Sequence, residues 1–296
     1  MSGLPLVSVV IPCYNHDSYV QDTIRSVINQ SYENIELIII DDGSKDSSVE
    51  KINNLLEECQ RRFTRFEFIA RENKGLCATL NQAISWSKGK YFCAIASDDI
   101  MLEAKTATQV EFMENNNKVV ALFGSANYIN ENNEIKNVNK LKEQEYPFDK
   151  ILLNECAFFA PTQMMRLDVI EKIGGYNEEI LVEDWYMWLK MAEKGIVYCI
   201  SDTLANYRIH TNNTTKNSKF IYDNNMKTLS FYRDHKLYWK AYNKIRWVYI
   251  TWTGQSDKKQ SLKLVFEFLM ERPSAIFSIY FLMYCKYFIF KMKKWF

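Results

Sequence analysis

Four short apolar runs alternate with amphipathic stretches in the first hundred residues, and this alternation constrains the fold more than any other feature. Residues 7–12 (VSVVIP), 36–40 (ELIII), 66–70 (FEFIA) and 91–96 (YFCAIA) read as strands. ELIII is apolar almost throughout, as a strand covered on both faces should be. Between the strands, residues 19–30 place Val20, Ile24, Val27 and Ile28 on one helical face. Ser47 and Glu50 have the spacing of a capping box, opening a helix with Val49, Ile52, Leu55, Leu56 and Cys59 inward. Residues 76–87 repeat the pattern with Leu76, Leu80, Ala83 and Ile84. Strands alternating with helices predict βαβ units, and so an α/β fold: a Rossmann-like, doubly wound, mostly parallel sheet.

In such sheets ligands bind beyond the carboxyl ends of the strands. Asp41 and Asp42 follow ELIII, and Asp98 and Asp99 follow YFCAIAS, so both pairs should converge on one crevice. The first strand runs into PCYNH, with no G-x-G-x-x-G, and there is no P-loop. Phosphates would then need another counter-charge, and Mg²⁺ or Mn²⁺ on carboxylates supplies it. A single Asp-Asp pair is also an ordinary solvated turn. A second pair at a second strand end tips the reading toward function.

Further along, residues 103–117 look helical and 119–124 look like a strand. Residues 128–149 are rich in Asn, Lys and Glu and read as a poorly packed or mobile excursion, a loop. GGYNEE reads as a turn, 182–194 as a helix, and the aromatic-rich 222–253 as mostly helical. The net charge of +1 speaks against nucleic acid as a partner. Seven cysteines, an odd number without a C-x-x-C pair, suggest reduced thiols in a cytosolic protein. The first residues lack a basic segment followed by a long apolar one, so no secretory signal is expected.

In order and spacing, VSVVIPCYNH, ELIIIDDGSKDSS, ARENKGLCATLNQAI, KGKYFCAIASDDI, GGYNEEILVEDWYMWLK and YRIHTNN resemble the family 2 glycosyltransferases of the GT-A fold. The resemblance runs from about residue 7 to 213. It implies an inverting transferase that uses a nucleotide-sugar donor, most often a UDP-sugar, and a divalent metal, Mn²⁺ or Mg²⁺. Carried onto this chain, it puts Pro12 and Tyr14 at the nucleoside and Asp41 and Asp42 on the uracil or ribose. Arg71 and Lys74 would lie near the nucleotide. Ser-Asp-Asp stands where the family has D-x-D, with Ser97 in place of the first acid. Asp98 would face the ribose or donor sugar, Asp99 the metal, and His210 the metal or diphosphate. Asp184 matches the catalytic base, with Glu183 its close competitor. On their own, Asp184 could be a helix N-terminal charge, His210 a structural histidine and Arg71 a surface charge; Cys13 and Cys77 read as packing residues.

The expected domains are a GT-A catalytic domain over residues 1–215 and a helical extension over 216–296. From 274 the tail reads SAIFSIYFLMYCKYFIFKMKKWF, without Asp or Glu and with lysines crowded near its end. Its apolar run is shorter than the roughly 20 residues that usually span a bilayer. It suggests an interfacial helix on the cytoplasmic face of an inner membrane, the alternatives being packing on the protein or in a homo-oligomer. A lipid-linked acceptor follows, such as a polyprenyl-diphosphate glycan in bacterial O-antigen or capsule synthesis. Glucose and galactose are the favoured donor sugars. A sugar nucleotidyltransferase and a non-catalytic nucleotide-sugar binder are the competing functions.

Overall fold

The computed structural model describes residues 3–211 and 213–290. The chain divides into two units. One comprises the residues up to Ile151 together with Cys156–Thr211; the other comprises Leu152–Glu155 and the chain beyond Thr211.

The first unit is built on β1 (Val7–Cys13), α1 (Val20–Ile28), β2 (Ile35–Asp41), α2 (Ser48–Asn53), α3 (Leu56–Arg62), β3 (Arg65–Ala70), α4 (Leu76–Trp86) and β4 (Tyr91–Ala94). It continues with β5 (Ile100–Met101), α5 (Lys105–Asn115), β6 (Val119–Ile129), β7 (Ile135–Asn139), β8 (Gln144–Tyr146), α6 (Phe148–Leu152), β9 (Met164–Arg166), α7 (Leu167–Lys172), α8 (Glu183–Ala192) and β10 (Ile196–Arg208). Among the described residues the strands form one sheet in the order β3-β2-β1-β4-β9-β6-β10-β5, with β7 on β6 and β8 on β10. β1 runs parallel to β2 and β4, β2 to β3, and β6 to β10. β9 is antiparallel to both β4 and β6, so the sheet is mixed: it joins the parallel block β3-β2-β1-β4 to the parallel pair β6-β10. This is the expected α/β architecture.

Every residue of β2 is buried. Burying the side chains of Leu37, Ile38, Ile39 and Ile40 stabilises the fold by roughly 1.5–3 kcal/mol each. Leu37 and Ile39 join Val9, Ile11, Val20, Ile24, Val27 and Ile52 in one core cluster, which is why the first two helical stretches read as amphipathic.

Two sequence expectations are corrected. Ser47 makes no side-chain cap bond. Asp46 does the local work, its carboxylate accepting the N–H groups of Ser48 and Asp17. Residues 128–149 are not a loop. β6 extends to Ile129, and β7 returns along it with Ala126 opposite Asn139 and Ile129 opposite Ile135. β7 is almost wholly exposed, so it carries no apolar alternation for a sequence reading to find. The thirteen residues of β10 were likewise not foreseen as a strand.

The second unit holds α9 (Ser218–Ser230), α10 (Tyr238–Ser256), α11 (Lys258–Glu271), a 3₁₀ turn (Pro273–Phe277) and α12 (Ile279–Phe290). α10 packs against the other three helices, with Trp247 edge-on to Phe268 and tilted against Phe281 and Tyr284. The tail helix is therefore partly packed on its own unit. Phe277, Ile279 and Leu282 remain exposed. No helix among the described residues is long and apolar enough to cross a membrane. Lys291, Lys293 and Lys294 lie outside the described residues.

Candidate active site

The carboxyl ends of β1, β2 and β4 carry three loops that are tied to one another. The β1–α1 loop, PCYNH, docks on the D-D-G-S turn: Asn15 N–H donates to Ser44 Oγ at 2.8 Å and Lys45 N–H to Asn15 Oδ1 at 2.7 Å. Tyr14 stands exposed beside them, and Pro12 is half-buried at the end of β1. Gly43 has φ +80°, and a Cβ there would meet the Asn73 backbone nitrogen at 2.7 Å, so this turn requires glycine.

Asp41 and Asp42 both look inward. Asp41 accepts from the N–H groups of Gly43 and Ser44 and from Ser44 Oγ, which shapes its own turn. Asp42 pairs with the Arg71 guanidinium and accepts the N–H groups of Lys74 and Gly75 at 2.8 and 2.9 Å. Arg71 also donates to Gln82 Oε1 and Thr79 Oγ1, both at 2.8 Å. The expected nucleotide-facing residues are thus brought together, with Asp42 and Arg71 engaged with each other and Lys74 contributing its backbone.

The second aspartate pair splits its duties. Asp99 is buried, and its Oδ1 accepts the Arg208 N–H at 2.8 Å. Burial first, and then the neighbouring Asp98 charge, push the Asp99 carboxyl well above the usual carboxylate range. Asp98 faces the crevice, with Oδ2 at 2.8 Å from His210 Nε2 and 4.0 Å from His16 Nε2. One ligand atom from each of His16, Asp98 and His210 lies within 4.8 Å of the others. Two imidazole nitrogens and a carboxylate oxygen are a donor set that fits a divalent transition ion. Asp98 thus lies against His210, while Asp99, expected at the metal, accepts the Arg208 N–H of β10.

Sequence reasoning missed His16 and Arg208. His16 closes the quoted PCYNH, but nothing in its spacing links it to Asp98 across the fold. Its Nδ1 lies 2.7 Å from Ser97 Oγ. Burial holds the imidazole below its ordinary range. Arg208 is fully buried and donates from Nε to the Asp98 carbonyl at 2.6 Å, reaching also the carbonyls of Asn130 and Glu131. Its guanidinium sits 4.7 Å from the Tyr19 ring centroid. The hairpin turn, α1 and the Asp98–Asp99 turn are joined through this one side chain.

Glu183 and Asp184 open α8. Burial pushes the Asp184 carboxyl up to about 6, against a helix N-terminus that would favour its ionised form. Burial and the Asp184 charge raise Glu183 well above its usual range, and both carboxylates help burial raise the Tyr176 phenol. The Asp184 charge also adds, after burial and Asp98, to the rise of the Asp99 carboxyl. The arrangement can hold a cation beside one carboxylate and offer a second carboxylate poised near neutrality.

The family model for glycosyl transferase family 2 matches residues 8–174, more than half of the chain. An uncharacterized glycosyltransferase of Rickettsia bellii is 31% identical over 210 residues, covering 71% of this chain and 29% of its own length. The chain thus spans less than a third of that relative. An Escherichia coli O-antigen biosynthesis glycosyltransferase, WbnJ, is 31% identical over 231 residues, 74% of this chain and 86% of its own. Two solved structures share the fold. Staphylococcus aureus TarS 1-349 in complex with UDP-GlcNAc has a TM-score of 0.65 at 14% identity, covering 87% of this chain and 75% of that one. The mannosyltransferase PcManGT of Pyrobaculum calidifontis in complex with GDP-Man and Mn²⁺ has a TM-score of 0.61 at 12% identity, covering 99% and 89%. With its mostly parallel sheet and these strand-end loops, the chain belongs to glycosyl transferase family 2.

Proposed function

We propose that this chain is a metal-dependent, inverting hexosyltransferase that moves a sugar from a UDP-sugar, of glucose or galactose type, to a glycan acceptor and forms a β-linkage. The observation that carries the reading is the His16–Asp98–His210 group beyond the carboxyl ends of β1 and β4, and the raised Asp184 carboxyl at the start of α8 supports it. Relatives support the donor class, since TarS binds UDP-GlcNAc and PcManGT binds GDP-Man with Mn²⁺.

Asp98 and His210, with His16 beside them, would hold the divalent ion, which when bound would supply Lewis-acid stabilisation of the leaving diphosphate. The nitrogen donors favour Mn²⁺ over Mg²⁺. Tyr14 and Pro12 flank the nucleoside, and Asp41, Asp42, Arg71 and Lys74 shape the wall it rests on. Asp184 takes the proton of the acceptor hydroxyl as that oxygen attacks the anomeric carbon. Glu183 keeps a proton that Asp184 releases, because two adjacent half-buried carboxyls do not ionise together readily. One displacement inverts the anomeric carbon and needs no protein nucleophile.

Catalysis is assigned to residues 1–215. Residues 216–296 are assigned to peripheral attachment at the cytoplasmic face of the inner membrane, where a polyprenyl-diphosphate-linked glycan of surface polysaccharide synthesis would be the acceptor. Exposed Phe277, Ile279 and Leu282 support this assignment, as does the WbnJ likeness. The test is a panel of UDP-sugars with Mn²⁺ and a synthetic lipid-diphosphate GlcNAc or GalNAc acceptor, the product being read by NMR for anomeric configuration. A β-linked product from one α-linked donor is expected. An α-linked product would overturn the inverting scheme. UDP binding without turnover by any donor would favour a non-catalytic binder.

A further inference from the structure

We propose that His16, oriented by Ser97, is a third protein ligand of the ion held by Asp98 and His210. This rests on the metal-dependent reading above and adds a ligand from the first βα loop. Its Nε2 lies 4.0 Å from Asp98 Oδ2, and the three ligand atoms come from three separate elements: the β1–α1 loop, the turn after β4 and the segment after β10. The other ring nitrogen, Nδ1, is 2.7 Å from Ser97 Oγ. With Nδ1–H donating to that hydroxyl, Nε2 keeps its lone pair for the ion. Metal-binding histidines are typically fixed in this way, through their second nitrogen.

The position is rigid. His16 N–H donates to Ser48 Oγ at 2.9 Å, and its carbonyl accepts the N–H groups of Tyr19 and Val20 at the start of α1. The ring is edge-on to His210 with centroids 5.8 Å apart, and edge-on to Tyr19 at 6.2 Å. Ser97 is 1% exposed, so its hydroxyl finds its partners inside the protein. Ser97 is also the residue that departs from D-x-D. The chain lacks an acid there and has a serine that aims an imidazole. Such a site carries two nitrogens and one oxygen, which shifts preference away from Mg²⁺, an ion of oxygen ligands.

The test is direct ion binding to the full chain in the presence of UDP. Mn²⁺ is titrated and the free ion is followed by electron paramagnetic resonance. His16→Ala should weaken Mn²⁺ by at least about tenfold, and Ser97→Ala by about 10–100-fold, the usual cost of losing an orienting partner. Mg²⁺ affinity, measured by competition, should change less than Mn²⁺ affinity. The wild-type protein gives a second readout that no folding defect can blur: electron spin echo modulation of bound Mn²⁺ should show two imidazole nitrogens. One nitrogen in the wild type, or normal Mn²⁺ affinity in His16→Ala while His210→Ala loses it, would overturn the proposal and leave the metal reading standing. No Mn²⁺ binding by the wild type, with UDP bound normally, would overturn both.

Discussion

Asp184 is one carboxyl whose surroundings set its chemistry. Its value near 6 follows from burial, and a base must be ionised to accept a proton. The rate should therefore be full above neutrality and fall as pH drops through about 6, tenfold per unit below it. A profile of kcat/KM against pH checks this; a flat profile down to pH 5 would contradict it. Asp98→Ala should abolish Mn²⁺-stimulated turnover while leaving UDP affinity measured in EDTA within about twofold, checked by calorimetry, since catalysis through a bound ion depends on its ligands. Gly43→Ala should lower stability by about 1–2 kcal/mol, the cost of a Cβ in the left-handed region, with more from the 2.7 Å approach to Asn73. Thermal unfolding reads it directly. At this scale the sequence was informative where a residue sits beside its partners in the chain, as in Asp41 and its turn. It was silent where partners lie far apart, as in His16 with Asp98 or Arg208 with the Asp98 carbonyl.

At the scale of elements, β10 and the β6–β7 hairpin show why parts of the fold were hidden. β1, β2 and β4 are covered on both faces, so their apolar runs announce them. β7 is an exposed edge strand made of Ile, Lys, Asn and Val, and pairing with β6 rather than patterning holds it. β10 is placed by the long β6, to which it runs parallel with several register shifts. It carries Arg208 to the Asp98–Asp99 turn, so an unremarkable strand delivers the residue that braces the site. Arg208→Leu removes a buried charge bonded to several carbonyls and leaves those acceptors unsatisfied. It should destabilise the protein by about 3–5 kcal/mol, seen as a lower urea midpoint. Arg208→Lys should recover only part of this, because an ammonium cannot reproduce the guanidinium fork.

At the scale of the whole molecule, two units carry different kinds of surface. The first is an α/β body whose strand ends gather the acids and histidines. The second is a helical body with a Trp247-centred core and an exposed row at Leu262, Phe266 and Met270 besides the tail. Binding to liposomes containing anionic lipid should drop severalfold in a Phe277→Ser, Leu282→Ser double variant, measured by cosedimentation. Equal recovery of both proteins in the supernatant would remove the membrane assignment without touching the transferase. The central claim concerns the first unit, and UDP release in the presence of donor, acceptor and Mn²⁺ tests it most directly when wild type is compared with Asp184→Asn at pH 7.5. The account predicts metal-dependent release by the wild type and a loss of about 10²–10⁴-fold in the variant, with UDP binding unchanged. Release at the wild-type rate in Asp184→Asn would contradict it.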